Sequence, residues 1–230
     1  MSPARDRATP AAAGDVLVVF ARYPEPGRVK TRLARAIGAA AASTLYAAFV
    51  ADLRQRFAAA PFAVRWAVAP PDPGFAARFA LPAQDVILQA GADLGARMRN
   101  AIAALLAQGF ARCAIVGSDM PQLALDTVAD AFARLEDADL VLGPAADGGY
   151  YLIAARAPLD VFDGIAWGTA TVLAATRARA AALGLVTALL APGFDVDVAE
   201  DLVRLRELLT APRADAAMPA TAAALAAIAR

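Results

Sequence analysis

The 230-residue chain carries 22 basic and 22 acidic residues, no His and a single Cys. Zero net charge argues against a nucleic-acid partner, because nucleic-acid-binding surfaces carry an excess of Lys and Arg. The absence of His excludes His general bases, Ser-His-Asp triads and His metal ligands, and one Cys excludes an intramolecular disulfide or a Cys-based zinc cluster. Catalysis here must therefore use carboxylates, Arg, hydroxyls, backbone groups and one Lys.

The first 14 residues have no apolar segment of the kind found in secretory signals, and they are predicted to form a disordered leader. The longest uncharged run, between Arg35 and Asp52, is too short and too polar to span a bilayer. The sequence therefore predicts a cytoplasmic protein without a membrane span.

Apolar β-branched runs alternate with stretches of helical periodicity. In chain order, the predicted elements are a strand at 15–21, a helix at 39–59, strands at 62–69 and 85–88, a helix at 93–109, a strand at 112–117, a helix at 125–135, strands at 139–145 and 149–155, a helix at 169–183, a strand at 185–190 and a helix at 198–209. This alternation predicts one domain, residues 15–210, with a mostly parallel sheet covered on both faces. Residues 211–230 are predicted as an Ala-rich tail or a further helix. Ligands of such sheets bind beyond the carboxyl ends of the strands.

The loop after the first strand, "ARYPEPGRVKTRLA", contains Gly27, Lys30 and Arg32. A glycine lets the backbone approach a ligand, and ammonium and guanidinium groups bind phosphate. Lys30 is the only Lys of the chain, so a compact ammonium is favoured over a planar guanidinium at this position. The sequence predicts phosphate contacts from these three residues; the alternative is an exposed loop with solvated charges.

Carboxylates follow two further predicted strands. Asp119 comes after the strand at 112–117, and Asp195 and Asp197 come after the last strand. Carboxylate oxygens bind hard cations such as Mg²⁺ or Mn²⁺, and such an ion would bridge a diphosphate. Asp119 with Asp195 or Asp197 is therefore a predicted metal site. The alternatives are a turn at Asp119 and a capping box formed by Asp197 and Glu200.

Asp147, Gly148 and Gly149 lie between two predicted strands. They form either a hairpin turn or the edge of a substrate site, where the carboxylate would orient or deprotonate an acceptor. Trp167 and Thr169 lie in a later loop, where the aromatic ring either stacks on a sugar or packs in the core.

The segment "QAGADLGARM", residues 89–98, is rich in glycine at the start of a predicted helix. Gly91, Asp93 and Gly95 either contact a nucleotide or form a loop with Asp93 as the N-cap. Both interpretations stay open from the sequence alone.

Six segments between Val16 and Leu209 resemble the motifs of a bacterial glycosyltransferase-A-fold family. In chain order they are "FARYPEPGRVKTRLA", "ADLGARM", "VGSDMPQL", "VLGPAADGGYYLI", "IAWGTATVL" and "DVDVAEDL". Some members of that family are known as radical SAM/selenodomain-associated transferases. The family is similar in fold to nucleotidyltransferases such as the molybdenum-cofactor and 2-phospholactate guanylyltransferases.

The resemblance implies a single-domain, three-layer α/β/α fold with a mostly parallel mixed sheet. It implies phosphate contacts from Lys30 and Arg32, and Mg²⁺ or Mn²⁺ bound by Asp119 with Asp195 or Asp197 as the second carboxylate. It also implies nucleotide or substrate contacts from the Gly91–Gly95 loop, Asp147 and Gly148.

We therefore expect a divalent-metal-dependent transferase that moves a glycosyl group from a nucleotide-diphosphate-linked donor to a small-molecule acceptor. Lys30, Asp119 and Asp147 are the predicted catalytic residues. One alternative is a nucleotidyltransferase that releases pyrophosphate from a nucleoside triphosphate. The other is a nucleotide-binding module without catalysis.

Overall fold

Seven strands form one mixed sheet within residues 14–211 and 217–228, the part of the chain that the computed structural model describes. The strands are β1 Asp15–Ala21, β2 Ala63–Val68, β3 Val86–Leu88, β4 Arg112–Gly117, β5 Leu140–Pro144, β6 Tyr150–Ala155 and β7 Thr187–Leu189. Their spatial order is β3-β2-β1-β4-β6-β5-β7. β6 runs antiparallel to β4 and β5, and the other neighbours are parallel. The predicted fold class, with a mostly parallel mixed sheet, is confirmed.

Helices cover both faces of this sheet. They are α1 Thr31–Ile37, α2 Ala39–Phe57, α3 Gly74–Arg78, α4 Leu94–Ala107, α5 Leu125–Arg134, α6 Val172–Ala182, α7 Ala199–Leu209 and α8 Pro219–Ile228. None of the described helices combines the length and the apolar composition that crossing a bilayer requires. Residues 1–13 of the predicted leader, and 212–216 and 229–230 of the predicted tail, lie outside the described residues.

The core has two layers because the side chains of β1 alternate between the faces of the sheet. Leu17 and Val19 pack in one layer with residues of α2, α5, α7 and α8, whereas Val16 and Val18 pack in the other with residues of α4 and α6. All four side chains are fully buried. A strand buried on both faces reads as a continuous apolar run, which is why the sequence predicts β1 with its observed bounds.

Two short helices, α1 and α3, stand where the sequence pattern predicts loops. Gly38, at a φ of 85°, separates α1 from α2, and Leu33 buries the apolar side of α1. Phe75 of α3 packs on Trp66, with ring centroids 6.2 Å apart. Helices of five and seven residues show too little periodicity to be recognised, and they depend on these tertiary contacts.

Helix α8 is fastened to α2 by one buried carboxylate. Asp52, 1% exposed, accepts hydrogen bonds from the backbone N–H groups of Ala220 (3.0 Å) and Thr221 (2.8 Å). One turn later, Arg56 donates to the carbonyl oxygens of Pro121, at 2.5 Å, and of Ala217, at 2.7 Å. Because Pro121 lies in the loop that follows β4, α2 supports both the last helix and one edge of the site described below.

We expect Asp52→Ala to lower the free energy of unfolding by about 1–3 kcal/mol, because two helix N–H groups lose their acceptor. Urea unfolding measured by circular dichroism gives the difference, and hydrogen exchange of the α8 amides should rise with it. Asp137→Ala, which removes an exposed carboxylate, is the control and should stay within about 0.5 kcal/mol of wild type. Equal stability of the two variants would contradict the proposed anchoring of α8.

Candidate active site

A cleft of about 810 Å³ opens at the edge of the sheet where β1, β4, β5 and β7 end. Its walls come from the loops after β1, β4 and β7, from the β5–β6 turn, from the start of α4 and from residues 167–170. The carboxyl ends of parallel strands meet at one edge, so residues far apart in sequence lie together there.

The ammonium of Lys30 joins two of these loops. Its Nζ lies 2.5 Å from Oδ1 of Asp119 and 2.8 Å from Oδ1 of Asp197, and its side chain is only 3% exposed. The Nη2 of Arg32 lies 2.8 Å from the other oxygen of Asp197. Burial alone would lower the pKa of Lys30, but the charges of Asp119 and Asp197 and their hydrogen bonds outweigh it and raise the pKa. Lys30 is therefore a permanent cation at physiological pH.

The backbone of Lys30 is left-handed, with φ 49° and ψ 43°, at the N-cap of α1. This conformation costs a non-glycine residue about 1–2 kcal/mol. The two ion pairs of its side chain offset that cost, and they hold the residue where the loop turns into α1.

Buried hydrogen bonds fix the backbone next to Asp119. The Tyr46 hydroxyl accepts a hydrogen bond from the Arg22 N–H at 2.9 Å and shares a second hydrogen bond with the Ser118 hydroxyl, with 2.7 Å between the two oxygens. Burial, with the charge of Asp119 as the next cause, raises the pKa of Tyr46 to about 12. The Asp119 carbonyl accepts from the Val196 N–H at 2.9 Å. Tyr46 thus joins the ends of β1 and β4, and Asp119 joins them to the loop after β7.

The Asp195 carboxyl differs from its neighbours because no hydrogen bond from the described residues reaches it. Burial, the charge of Asp119 and smaller effects of Asp197 and Asp147 raise the pKa of Asp195 to about 7, against the opposing effect of Lys30. Asp147, in contrast, accepts from the Gly149 N–H at 2.9 Å within the β5–β6 turn. That segment is therefore both a hairpin turn and part of the cleft wall.

The donor set fits a hard divalent cation in part. Within the described residues, no group of three or more acidic, His or Cys side chains is arranged to hold one metal ion, so the predicted carboxylates do not form a closed shell. The Lys30 ammonium lies between Asp119 and Asp197 instead. Asp119 and Asp195 remain as two close carboxylates with an excess of negative charge. Mg²⁺ is usually held by one or two carboxylates plus substrate phosphates, so this pair suits an ion that arrives with a phosphate ligand.

Arginines also line the cleft. Arg22 and Arg97 line the cleft, and no carboxylate of the described residues lies within 4 Å of either guanidinium. Arg97 donates through Nε to the Gly91 carbonyl at 3.2 Å, whereas Arg28 pairs with Glu25 at 3.3 Å. Sequence motifs did not single out Arg22 and Arg97. Their positions, directly after β1 and inside the "ADLGARM" segment, were the available signals.

The structure brings most predicted site residues to the cleft. Nine of them line it, namely Lys30, Arg32, Asp119, Asp147, Gly149, Trp167, Thr169, Asp195 and Asp197. Trp167 also packs against Phe162, with ring centroids 6.5 Å apart, so it belongs to the cleft and to the core. The Thr169 hydroxyl donates to the Ala166 carbonyl at 2.8 Å, which orders the loop.

The remaining five predicted residues shape the walls but do not line the cleft. Gly27 has a φ of 80°, as the turn of the loop requires, and a Cβ added there would meet no atom within 4 Å. It does not line the cleft, in contrast to the prediction. A Cβ at Gly95 would come within 2.6 Å of the Trp167 ring, and a Cβ at Gly148 would overlap the Ala170 carbonyl. Both glycines are therefore required by close packing.

The start of α4 accounts for the other two residues. Asp93 is the N-cap, and its Oδ1 accepts from the Ala96 N–H at 2.7 Å. A Cβ at Gly91 would lie 2.6 Å from the Arg97 backbone nitrogen. Asp93 is thus the predicted N-cap, whereas a nucleotide contact from this segment stays a prediction.

The proposed capping box of α7 is wrong as to its residues. Val198 is the N-cap, and the Asp201 carboxylate accepts from the backbone N–H groups of Asp197 and Val198, both at 2.9 Å. The Asp197 carboxylate is therefore free to pair with Lys30 and Arg32. Sequence spacing could not distinguish Glu200 from Asp201, which are adjacent in the first turn.

Comparison with protein families found that the model described as "Uncharacterized protein conserved in bacteria (DUF2064)" matches residues 52–169. Comparison with curated proteins gave no match. A crystal structure from Desulfovibrio desulfuricans G20, assigned as a nucleotide-diphospho-sugar transferase, is 33% identical with a TM-score of 0.82. The match covers 94% of this chain and 98% of that chain.

Two more distant structures share the fold alone. A cytidylyltransferase from Leptospira borgpetersenii is 11% identical, with a TM-score of 0.55 over 86% of this chain and 87% of that chain. Molybdopterin-guanine dinucleotide biosynthesis protein A from Archaeoglobus fulgidus is 16% identical, with a TM-score of 0.50 over 85% and 98%. The predicted similarity in fold to molybdenum-cofactor guanylyltransferases is confirmed. The association with radical SAM proteins stays a prediction.

We expect Lys30→Met to lower the free energy of unfolding by about 1–3 kcal/mol, because Asp119 and Asp197 lose the cation between them. The loss should stay below the roughly 3–5 kcal/mol of fully buried pairs, because water screens carboxylates that are 39% and 33% exposed. Lys30→Arg should not restore stability, since a planar guanidinium does not fit the space of a buried ammonium. Urea unfolding tests both, with Arg35→Met on the exposed face of α1 as the control. Wild-type stability of Lys30→Arg would show that a compact ammonium is not needed.

We expect Asp195→Asn to stabilise the metal-free protein at pH 8 but not at pH 4. The folded pKa of Asp195, about 7, lies above the usual unfolded value, so the folded state binds more protons and stability falls as pH rises through this interval. The gain at pH 8 should be roughly 1–3 kcal/mol, since one unit of pKa corresponds to about 1.4 kcal/mol. Urea unfolding in EDTA at both pH values measures it, and Asp137→Asn controls for the loss of one charge. An equal effect at both pH values would contradict the shift.

Proposed function

The chain belongs to the bacterial family described as "Uncharacterized protein conserved in bacteria (DUF2064)", and we propose that it is a transferase acting on a nucleotide-linked donor. The transferred group is a glycosyl unit, and the donor is a nucleotide diphosphate sugar. The relative that is 33% identical over nearly the whole chain, assigned as a nucleotide-diphospho-sugar transferase, supports this choice of donor.

The observation that carries the proposal is that one cleft holds both unpaired cations and carboxylates. Among the described residues, no carboxylate lies within 4 Å of the guanidinium groups of Arg22 and Arg97, and the carboxylates of Asp119 and Asp195 line the same cleft. Guanidinium groups bind phosphates, and carboxylates suit a metal ion and an acceptor hydroxyl. The volume of about 810 Å³ lies within the range of roughly 300–1,000 Å³ that is usual for small-molecule sites.

In this proposal Arg22 and Arg97 hold the donor diphosphate. Lys30 has a different role from the one that the sequence suggests, because both of its nearest partners are carboxylates. Lys30 positions Asp119 and Asp197, and its charge adds to the positive potential that the departing diphosphate meets. Trp167, which lines the cleft, offers an aromatic ring to the sugar or the base.

Asp119 and Asp195 would hold Mg²⁺ or Mn²⁺ together with oxygens of the donor phosphates. When bound, such an ion neutralises the negative charge that develops on the leaving group. The hydroxyl oxygen of the acceptor forms a bond to the anomeric carbon, and the bond from that carbon to the diphosphate oxygen breaks. The nucleoside diphosphate leaves with the bonding electron pair, and Asp147 accepts the proton of the acceptor hydroxyl.

A nucleotidyl transfer is the second candidate, and the number of cations in the cleft favours it. Arg22, Arg28 and Arg97 line the cleft in addition to Lys30 and Arg32, which suits a triphosphate as well as a diphosphate. In that reaction the acceptor oxygen bonds to the α-phosphorus, and pyrophosphate leaves with the electrons of the broken P–O bond. The fold is compatible with it, as the cytidylyltransferase match illustrates.

We expect nucleotide diphosphate sugars to raise the melting temperature in the presence of Mg²⁺ or Mn²⁺, because a ligand at one hundred times its Kd stabilises a fold by about 2.7 kcal/mol. Arg97→Ala should weaken that binding by about tenfold to a hundredfold, since a charge-assisted hydrogen bond contributes about 1.5–3 kcal/mol. Arg177→Ala, an exposed arginine of α6 outside the cleft, should bind as wild type does. Isothermal titration with UDP-, GDP-, CDP- and ADP-sugars, and with the corresponding triphosphates, measures the effect.

Phosphorus NMR of the products separates the reactions, with water as a slow acceptor if no better one is supplied. A nucleoside diphosphate as product supports glycosyl transfer, and pyrophosphate from a triphosphate supports nucleotidyl transfer. Asp119→Asn should reduce either turnover by about a hundredfold or more. Nucleotide binding without turnover would favour a binding module, and the absence of any nucleotide binding would overturn the proposal.

A further inference from the structure

A second, smaller cavity of about 220 Å³ adjoins the cleft. The two cavities share four residues, Arg32, Asp147, Asp195 and Asp197. A molecule in the smaller cavity therefore meets carboxylates that also line the larger cleft. Its volume is below the roughly 300–1,000 Å³ of typical ligand sites, so it fits only a small molecule.

Arg204 of α7 lines the smaller cavity but not the larger one. Its guanidinium carbon lies 5.8 Å from the centroid of the Phe194 ring, and both residues line the cavity. The Phe194 carbonyl accepts from the Gln122 side-chain amide at 2.8 Å, which holds the ring in place. Within the described residues, no carboxylate lies within 4 Å of Arg204. Arg204 is exposed, so its N–H donors are open to an anion that enters this cavity.

The acidic residues of the same cavity are mostly engaged. Asp197 pairs with Lys30 and Arg32, and Asp201 accepts two backbone N–H groups at the start of α7. Asp147 uses one oxygen for the Gly149 N–H, and Asp195 uses neither oxygen in a hydrogen bond among the described residues. Asp147 and Asp195 are thus the carboxylates with oxygens available to a hydroxyl in this cavity.

We propose that the smaller cavity is the acceptor subsite and that it takes a small hydroxyl-bearing anion, a carboxylate or a phosphate. Arg204 binds the negative group, and Arg32 adds positive charge beside it. The hydroxyl of the acceptor lies at the shared wall, against Asp147 and Asp195. This inference rests on the proposed transferase function and specifies its second substrate.

Isothermal titration with three simple probes tests the subsite: glycerate, glycerol 3-phosphate and, as the neutral match, glycerol. The anions should bind wild type at least about tenfold more tightly than glycerol, because Arg204 contributes a charge-assisted hydrogen bond. Arg204→Ala should remove that preference, whereas Arg206→Ala, an exposed arginine of the same helix that lines neither cavity, should keep it. The glycerate and glycerol 3-phosphate arms distinguish a carboxylate from a phosphate as the recognised group.

The same samples are titrated with the best nucleotide ligand, so that the two proposals fail separately. Unchanged nucleotide binding in Arg204→Ala, with lost anion binding, supports the subsite. Nucleotide binding to wild type without any preference for the anions, or an equal preference in Arg204→Ala, overturns the subsite and leaves the donor proposal intact. Anion binding that depends on Arg204, without nucleotide binding, supports the cavity as an anion site and overturns the transferase function.

Discussion

The position of one buried ammonium determines the arrangement of the site. Lys30 Nζ is within 2.8 Å of carboxylates from two other loops, after β4 and after β7. Without a cation between them, Asp119 and Asp197 would repel each other across a partly dehydrated gap. An ammonium suits this place because it donates in three directions from one point, whereas the donors of a guanidinium lie in a plane. This geometry explains why the chain, which uses Arg at every other basic position, has Lys here.

The charges of the cleft follow from that ion pair. Four carboxylates face two nearby cations, Lys30 and Arg32, and both cations bind Asp197. Among the described residues no hydrogen bond reaches the Asp195 carboxyl, and burial with the charge of Asp119 raises its pKa to about 7. Such a carboxyl lowers the stability of the folded protein, and unfavourable charges of this kind are common in sites where a ligand supplies the opposite charge. Arg22 and Arg97, which have no carboxylate within 4 Å in the described part of the chain, add positive charge to the same cleft.

Sequence patterns predicted the strands and the residues that follow them, because the ends of buried strands are readable as a change from apolar to polar residues. Lys30, Asp119, Asp147 and Asp195 were found in this way. The partners of these residues were not predictable. Whether Asp197 would cap α7 or bind Lys30 depended on Asp201, one residue beyond the expected capping position. Likewise, Arg22 and Arg97 differ from other unpaired arginines by the cleft that the fold places around them, which sequence spacing does not show.

Because strand β6 is antiparallel to β5, the turn between them can line both cavities. In a wholly parallel sheet a crossover helix would follow β5, and the next strand would begin at the opposite edge. Because β6 instead returns directly from β5, the Asp147 turn stays at the edge where β1 and β4 end. The segment after β7 lies beside that turn, joined through the Gly193 N–H to the Pro144 carbonyl at 2.8 Å. Asp147 and Asp195 therefore line both cavities, so an acceptor hydroxyl bound between them lies next to the space of the donor, as a direct transfer requires.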